Sequence, residues 1–185
     1  FEFETDYFTK LLGCIHKWIG SDNEIHGTTS LISYSNIYRN HFYFSSFSDS
    51  VCIRLLYGIK QEPKMWGNVF VTNVKKIEWQ QNGHYFRTMS PIFCKKDGRH
   101  LFNEEAEEQC KAILLHKAEI AGIKLEDFDI RLKLIKHKLV KIHDISNRCA
   151  HYEVYISDER AANFAMCVGL GNCTGTGFGF ILPNL

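Results

Sequence analysis

The sequence predicts an α+β protein made of two successive β-α-β-β-α-β units with antiparallel sheets and helices to one side. Three observations predict it. Short alternating apolar runs are interleaved with helical runs in that order; the order begins again after the turn-like "QNG" at 81–83; and "GLGNCTGTGFGF" (169–180) places a glycine-rich loop directly before the last strand. These make two ferredoxin-like (RRM-like) halves, an N-terminal one over 1–80 and a C-terminal one over 81–185. They share pattern and not sequence.

In the first half, "FEF" (1–3) reads as the tail of a strand. Asp6 is placed to cap a helix whose Phe8, Leu11, Leu12, Ile15 and Ile19 recur at helical spacing, and Gly20 stops it. "TSLISYSNI" (29–37) and "HFYFSSF" (41–47) are strands joined by the turn-like "YRN". "SDSVCIRLLYGI" (48–59) opens with Ser/Asp capping residues and keeps helical periodicity, with Pro63 beyond it. "NVFVTNVKKIEW" (68–79) returns as a strand.

The second half starts with the strand "YFRTMSPIFCKK" (85–96), and "KDG" makes a hairpin tip leading into "RHLF". Asn103 is placed to cap a helix with an acidic first turn, running to about Ala121 with Cys110, Ile113 and Leu114 on one side. "FDIRLKLI" alternates as a strand, with Ile130, Leu132 and Leu134 inward and Arg131 and Lys133 outward. "KLVKIH" and "HYEVYIS" are further strands, "SDERAANFAMCV" is a Ser-capped helix, and "TGFGFIL" closes the unit as a strand.

Bulk properties narrow the function. The chain has 185 residues and a net charge of +1, too small for wholesale polyanion binding. The charge is nevertheless segregated: acids gather in "NEEAEEQ" (103–109), bases in "KKDGRH" (95–100) and "RLKLIKHKLVKIH" (131–143), which leaves room for a local anion-binding face. No apolar run is long enough to span a bilayer and no signal peptide is visible. The seven cysteines form no C-x-x-C pair, so most of them read as small buried residues of a protein in the reducing cytoplasm, and no metal site is expected.

Five glycines in the twelve residues 169–180 suit either a loop whose N–H groups approach a phosphate or a tight turn before the last strand. The familiar phosphate motifs are absent. After Gly169 and Gly171 the next glycine, Gly175, comes one place late for a dinucleotide fingerprint, and no Gly-Lys-Ser/Thr follows.

The two halves, the ending Gly169-Leu170-Gly171 followed by Gly177-Phe178-Gly179, and the segments "IHGTTSLISYSNI", "SPI" (90–92) and "HFYFSSF" in that setting resemble the "Cas six" family of CRISPR-associated endoribonucleases. The resemblance covers nearly the whole chain. It implies a cofactor-free and metal-independent cut of precursor CRISPR RNA within its repeats: the 2′-OH attacks the neighbouring phosphorus, leaving a 2′,3′-cyclic phosphate and a 5′-OH. Such a reaction needs a proton acceptor, a proton donor and a donor to the crowded phosphate. Repeat RNA is the implied partner; other CRISPR effector-complex proteins and a homodimer stay open, and no membrane is expected.

The resemblance places the catalytic histidine at His26, between the first helix and the next strand, and a second catalytic group at His16 near the end of that helix. The helix C-terminus favours imidazolium at His16 by about 0.3–1 kcal/mol. That suits it to protonating the leaving 5′-oxygen, with His26 as base for the 2′-OH, and the two roles remain exchangeable. A lysine that often follows the family's histidine is missing; Ser30 stands near its place and brings a hydrogen-bond donor without charge. Either His16 or a lysine from elsewhere then supplies the charge. For RNA binding the candidates are Gly169, Gly171, Gly175 and Gly177 in the loop, Lys95, Lys96 and Arg99 at the hairpin, and Arg131, Lys133, Lys136, Lys138 and Lys141 on the basic strands. A non-catalytic protein that holds the repeat, and an interaction protein without RNA, are the competing readings.

Overall fold

The first helical run folds as α1 (Tyr7–Ile19), with Leu11, Cys14, Ile15, Trp18 and Ile19 buried along one face. That face meets α2 (Asp49–Gln61), which buries Val51, Leu55 and Ile59 at i, i+4, i+8 spacing. The ends of the two helices are tied where Trp18 Nε1 donates to Glu62 O at 2.8 Å and Lys17 pairs with the Glu62 carboxylate. Between the helices in sequence, β1 (Ile32–Tyr34) and β2 (Phe44–Ser46) pair antiparallel, Ile32 opposite Ser46. The connection turns through Arg39 and Asn40, whose φ values of 46° and 68° are left-handed. In this computed structural model the described residues are 7–20, 29–78, 83–142 and 145–184.

The strand expected over 68–79 does not form among the described residues 68–78. Its start is tied locally to residues 63–66, by the bridge between Lys64 and Phe70 and by bonds from Met65 N to Val69 O at 2.9 Å, from Val69 N to Trp66 O at 3.0 Å and from Val71 N to Pro63 O at 2.9 Å. Beyond Val71 no backbone bond to another segment is made among the described residues, and Val74 and Ile77 are exposed, so the stretch finds no ladder partner there. The "FEF" segment, the Asp6 cap and most of "QNG" lie outside the described residues.

The second unit keeps its expected order. It comprises β3 (Tyr85–Thr88), the small hairpin β4 (Lys95–Lys96) and β5 (Arg99–His100), α3 (Asn103–Ile120), β6 (Ile130–Ile142), β7 (Ile145–Ile156), α4 (Glu159–Val168) and β8 (Ile181–Pro183). The sheet order is β6-β7-β3-β8 with every neighbour antiparallel, the split β-α-β arrangement. Four local readings are corrected. The run 85–96 is broken by Pro91, which has no N–H for a ladder. "FDIRLKLI" and "KLVKIH" are one strand, kinked by a bulge between Leu134 and Lys136. α4 is capped by Asp158, whose carboxylate accepts from Ala161 N at 2.7 Å, while Ser157 Oγ accepts from Asp129 N. Asn103 is itself the first residue of α3, with φ 53°, rather than the residue before it.

One face of this sheet is covered by α3 and α4, burying Phe86, Leu132, Tyr152, Val154, Ile156 and Ile181 against Leu114, Phe164 and Val168. Among the described residues the opposite face is covered at one end only. There Phe8 of α1 stacks on Phe178 at 5.2 Å, and Phe93, Val140 and Cys149 complete a small cluster that joins the two units. Polar ties accompany it: Ser45 Oγ donates to Met166 O at 2.8 Å, and Asn36 N donates to Ser90 Oγ at 3.0 Å. All seven cysteines are free. No described helix is long and apolar enough to cross a membrane.

Candidate nucleic-acid interface

The glycine-rich segment is a folded knot in which most residues are buried. After α4, Gly169 N closes on Ala165 O at 2.7 Å, and Leu170 N donates to Gly179 O at 3.0 Å. Gly179 N in turn donates to Pro91 O at 3.0 Å, and Asn172 N to Phe93 O at 2.8 Å. At Gly179, φ is 66° and an added Cβ would lie 1.8 Å from Leu170 O, so no other residue fits. Gly169, Gly171 and Gly177 are also buried, and a Cβ added at any of them would meet neighbouring protein atoms. The open edge of the knot is Asn172–Thr176, where Gly175 is half-exposed and Thr174–Thr176 form a single 3-10 turn.

Three distant segments meet at that edge. Ser30 Oγ sits against Gly175 so closely that an added Cβ there would lie 2.6 Å from it. The β4–β5 hairpin is fastened by Asn172, whose Oδ1 accepts from Lys95 N at 2.9 Å. From beneath, Lys117 of α3 donates through Nζ to Thr174 Oγ1 at 2.6 Å and to Val168 O at 2.7 Å. Burial pushes the Lys117 ammonium down to about 7.

The predicted residues are therefore unequally placed. Ser30 and Gly175 are brought together, with Lys95 and Lys96 of the hairpin beside them. His16 is half-buried in the last turn of α1, about two turns beyond Phe8, through which that helix meets the knot. His26 lies outside the described residues. Arg99 spends its charge on Glu105 at 2.6 Å, and Lys133 on Glu153 at 2.9 Å. Lys95, Lys96, Arg131, Lys136 and Lys138 are exposed and make no ion pair among the described residues.

The bulge in β6 sets the direction of these cations. Arg131 pairs with Tyr155 and Lys133 with Glu153; beyond the bulge Lys136 pairs with His151 and Lys138 with Cys149. Paired residues project to the same side, so the shift of one residue keeps all four cations on the face away from α3 and α4. Without it, Lys136 and Lys138 would have turned to the other side. Beyond them the face runs into the Val140–Cys149–Phe178 cluster beneath the knot. His151, half-buried on this face with Nδ1 at 3.2 Å from Thr88 Oγ1, is pushed down by burial and so held neutral. Among the described residues no three His, Cys, Asp or Glu side chains gather as a metal-ligand set.

Sequence reading missed Lys117 and Asn172. Lys117 had a signal: with Cys110, Leu114 and Ala118 it falls on the buried stripe of α3, where a lysine must find partners. Asn172 had none, because its role is made by the hairpin that packs on it.

The family model for CRISPR associated protein Cas6, C-terminal, matches residues 73–182, more than half of the chain. No curated protein matches it. Among solved structures the chain is similar to a CRISPR associated protein Cas6, with 21% identity and a TM-score of 0.77, covering 97% of this chain and 92% of that one. It is similar to a protein described as an RAMP protein binding different RNA substrates, at 20% identity and TM-score 0.68, covering 97% and 91%. A Cas6 product complex matches at 14% identity and TM-score 0.69, covering 97% and 93%. These likenesses carry the fold, α+β with tandem ferredoxin-like units.

Proposed function

The chain belongs to the Cas6 family of CRISPR-associated proteins, and from that premise we propose that it binds CRISPR repeat RNA and cuts it without a metal. The observation that carries the reading is the edge of the glycine knot. Ser30, Gly175 and the basic hairpin come from three distant stretches of sequence and converge there, open to solvent. The similar structures include a Cas6 product complex and a protein binding RNA substrates, which supports RNA as the ligand.

In this reading the scissile phosphate sits at the edge formed by Asn172–Thr176. Ser30 Oγ and the half-exposed Gly175 N–H offer hydrogen bonds to its oxygens. His26 takes the 2′-OH proton, and the new bond from O2′ to phosphorus forms as the bond to O5′ breaks. His16 returns a proton to that 5′-oxygen, giving the cyclic phosphate and a free 5′-OH. Lys95 and Lys96 supply nearby positive charge in place of the lysine absent after His26.

The test is single-turnover cleavage of a repeat RNA, transcribed from the array of the source genome, in excess EDTA. Cleavage with a 2′,3′-cyclic end is the expected result. His26→Ala and His16→Ala should each slow it by about 10²–10⁴-fold, with affinity kept. The double mutant should lose less than the product of the two, as groups acting together do. Tight binding with no cleavage would make the protein a repeat holder, and neither binding nor cleavage would end the proposal.

A further inference from the structure

We infer that the bare end of the C-terminal sheet is a second RNA site, a stacking platform for single-stranded RNA made by Tyr85 and Tyr155. This rests on the RNA-binding reading above and adds a place to it, remote from the glycine knot. Tyr85 on β3 and Tyr155 on β7 are opposite one another in the ladder, on the face away from α3 and α4. Their rings meet at 5.2 Å with an interplanar angle of 49°, and His84 adds a third ring 5.8 Å from Tyr155. Tyr85 is 65% exposed, an unusual state for a large ring on a central strand.

The surroundings identify the occupant. In the same cross-strand row as the two tyrosines is Arg131. The next row holds Lys133, Glu153 and Arg87, three strands side by side. Glu153 is the one carboxylate in these two rows, and Lys133 already binds it. Rings edged by guanidinium and ammonium groups fit a polyanion that carries flat bases: single-stranded RNA, stacked on aromatics with its phosphates on the cations. A central pair of adjacent strands bearing such rings is the geometry by which four-stranded sheets of this connectivity hold bases.

The platform also has an outlet. Arg131, Lys133, Lys136 and Lys138 continue along β6 on this same face, eight residues or on the order of 20 Å, toward the cluster beneath the glycine knot. An RNA strand laid on Tyr85 and Tyr155 is thereby led to the proposed cleavage edge. The platform then binds an unpaired stretch of the repeat and sets the register of the cut.

The probe is a fluorescein-labelled eight-nucleotide oligouridine, followed by anisotropy at fixed salt, alongside the full repeat RNA. Tyr85→Ala and Tyr155→Ala should each weaken oligouridine binding by about tenfold, while Tyr85→Phe and Tyr155→Phe stay within about twofold, since stacking needs the ring. Unaltered oligouridine affinity in both alanine variants, with native circular dichroism, overturns the platform and leaves the cleavage proposal standing. A wild-type protein that binds neither RNA overturns both. A concentration-dependent dimer in sedimentation that Tyr85→Ala dissociates, with RNA affinity unchanged, makes the face a contact between copies and also overturns the platform.

Discussion

Residues 169–179 and Leu134–Leu139 both lie on the way to the proposed RNA path, and they are held by opposite means. The glycine knot is mostly buried, closed on itself by backbone bonds and pinned from below by Lys117. The outer stretch of β6 is exposed throughout, with Leu139 at 67%, and is held chiefly by its ladder with β7. A region fixed by packing can present a few atoms in one geometry, as chemistry requires. A region fixed by a ladder alone presents a row of charges that tracks a backbone and tolerates change. The two regions thus divide the work: the knot positions, the ribbon attracts.

The largest expected effect breaks the knot. Gly179→Ala forces a Cβ onto Leu170 O while φ is left-handed. Strain and overpacking together should cost on the order of 3 kcal/mol, a fall in Tm of roughly 10 °C for a domain of this size. Leu139→Ser on the ribbon should change stability by less than about 0.5 kcal/mol. Thermal unfolding of both variants checks the contrast. Equal losses would mean that the ribbon is packed after all.

Next is the pin. Lys117→Met keeps the length of the side chain but leaves Val168 O and Thr174 Oγ1 without their donor, an expected loss of about 1–3 kcal/mol. Its sign with pH is distinctive. The folded chain holds Lys117 at about 7 against 10.5 for the ordinary group. Between those values the unfolded chain binds more protons, so stability rises with pH. Above about 8.5 the buried thiols of Cys14 and Cys149, pushed up by burial, act the other way: the unfolded chain loses those protons first. Urea unfolding of the parent protein should therefore show stability climbing from pH 7 to about 8.5, and Lys117→Met should flatten that climb. A climb that survives the substitution would assign it to another group.

How much of this was legible follows from which forces write themselves into local sequence. Helical periodicity, Asp-Gly at the hairpin tip and the order of elements are local, so α1 to α4 and the order of the C-terminal strands could be read directly, though not where β3, β6 and β8 begin and end. The strand expected at 68–79 failed because alternation shows that a strand would suit, and the neighbour it needs is not written there. The glycines were seen, but their direction was not. Gly169 and Gly177 contact Ser33 and Phe8, over a hundred residues away. Tyr85 and Tyr155 were invisible as a pair for the same reason: only the ladder sets them side by side. His26 and His16 rest on the resemblance, and for His16 position along a helix fixes a direction and not a partner.

The smallest expected effect on stability sharpens the ribbon's side of the comparison. Lys136 and Lys138 are exposed, share one face and make no ion pair, so replacing both with alanine should leave Tm within about 2 °C. If each contacts one phosphate of unpaired RNA, each contributes about 0.7 to the slope of log K against log salt. The double variant should then flatten the slope for repeat RNA by about 1.4 and weaken binding most at low salt. Lys133→Ala should flatten it less, because Lys133 is already committed to Glu153. An unchanged slope with Lys136 and Lys138 gone would take the phosphates off the ribbon and leave Lys95 and Lys96 as their anchor. The slope of the Lys95→Ala, Lys96→Ala double variant, measured beside it, decides between the two.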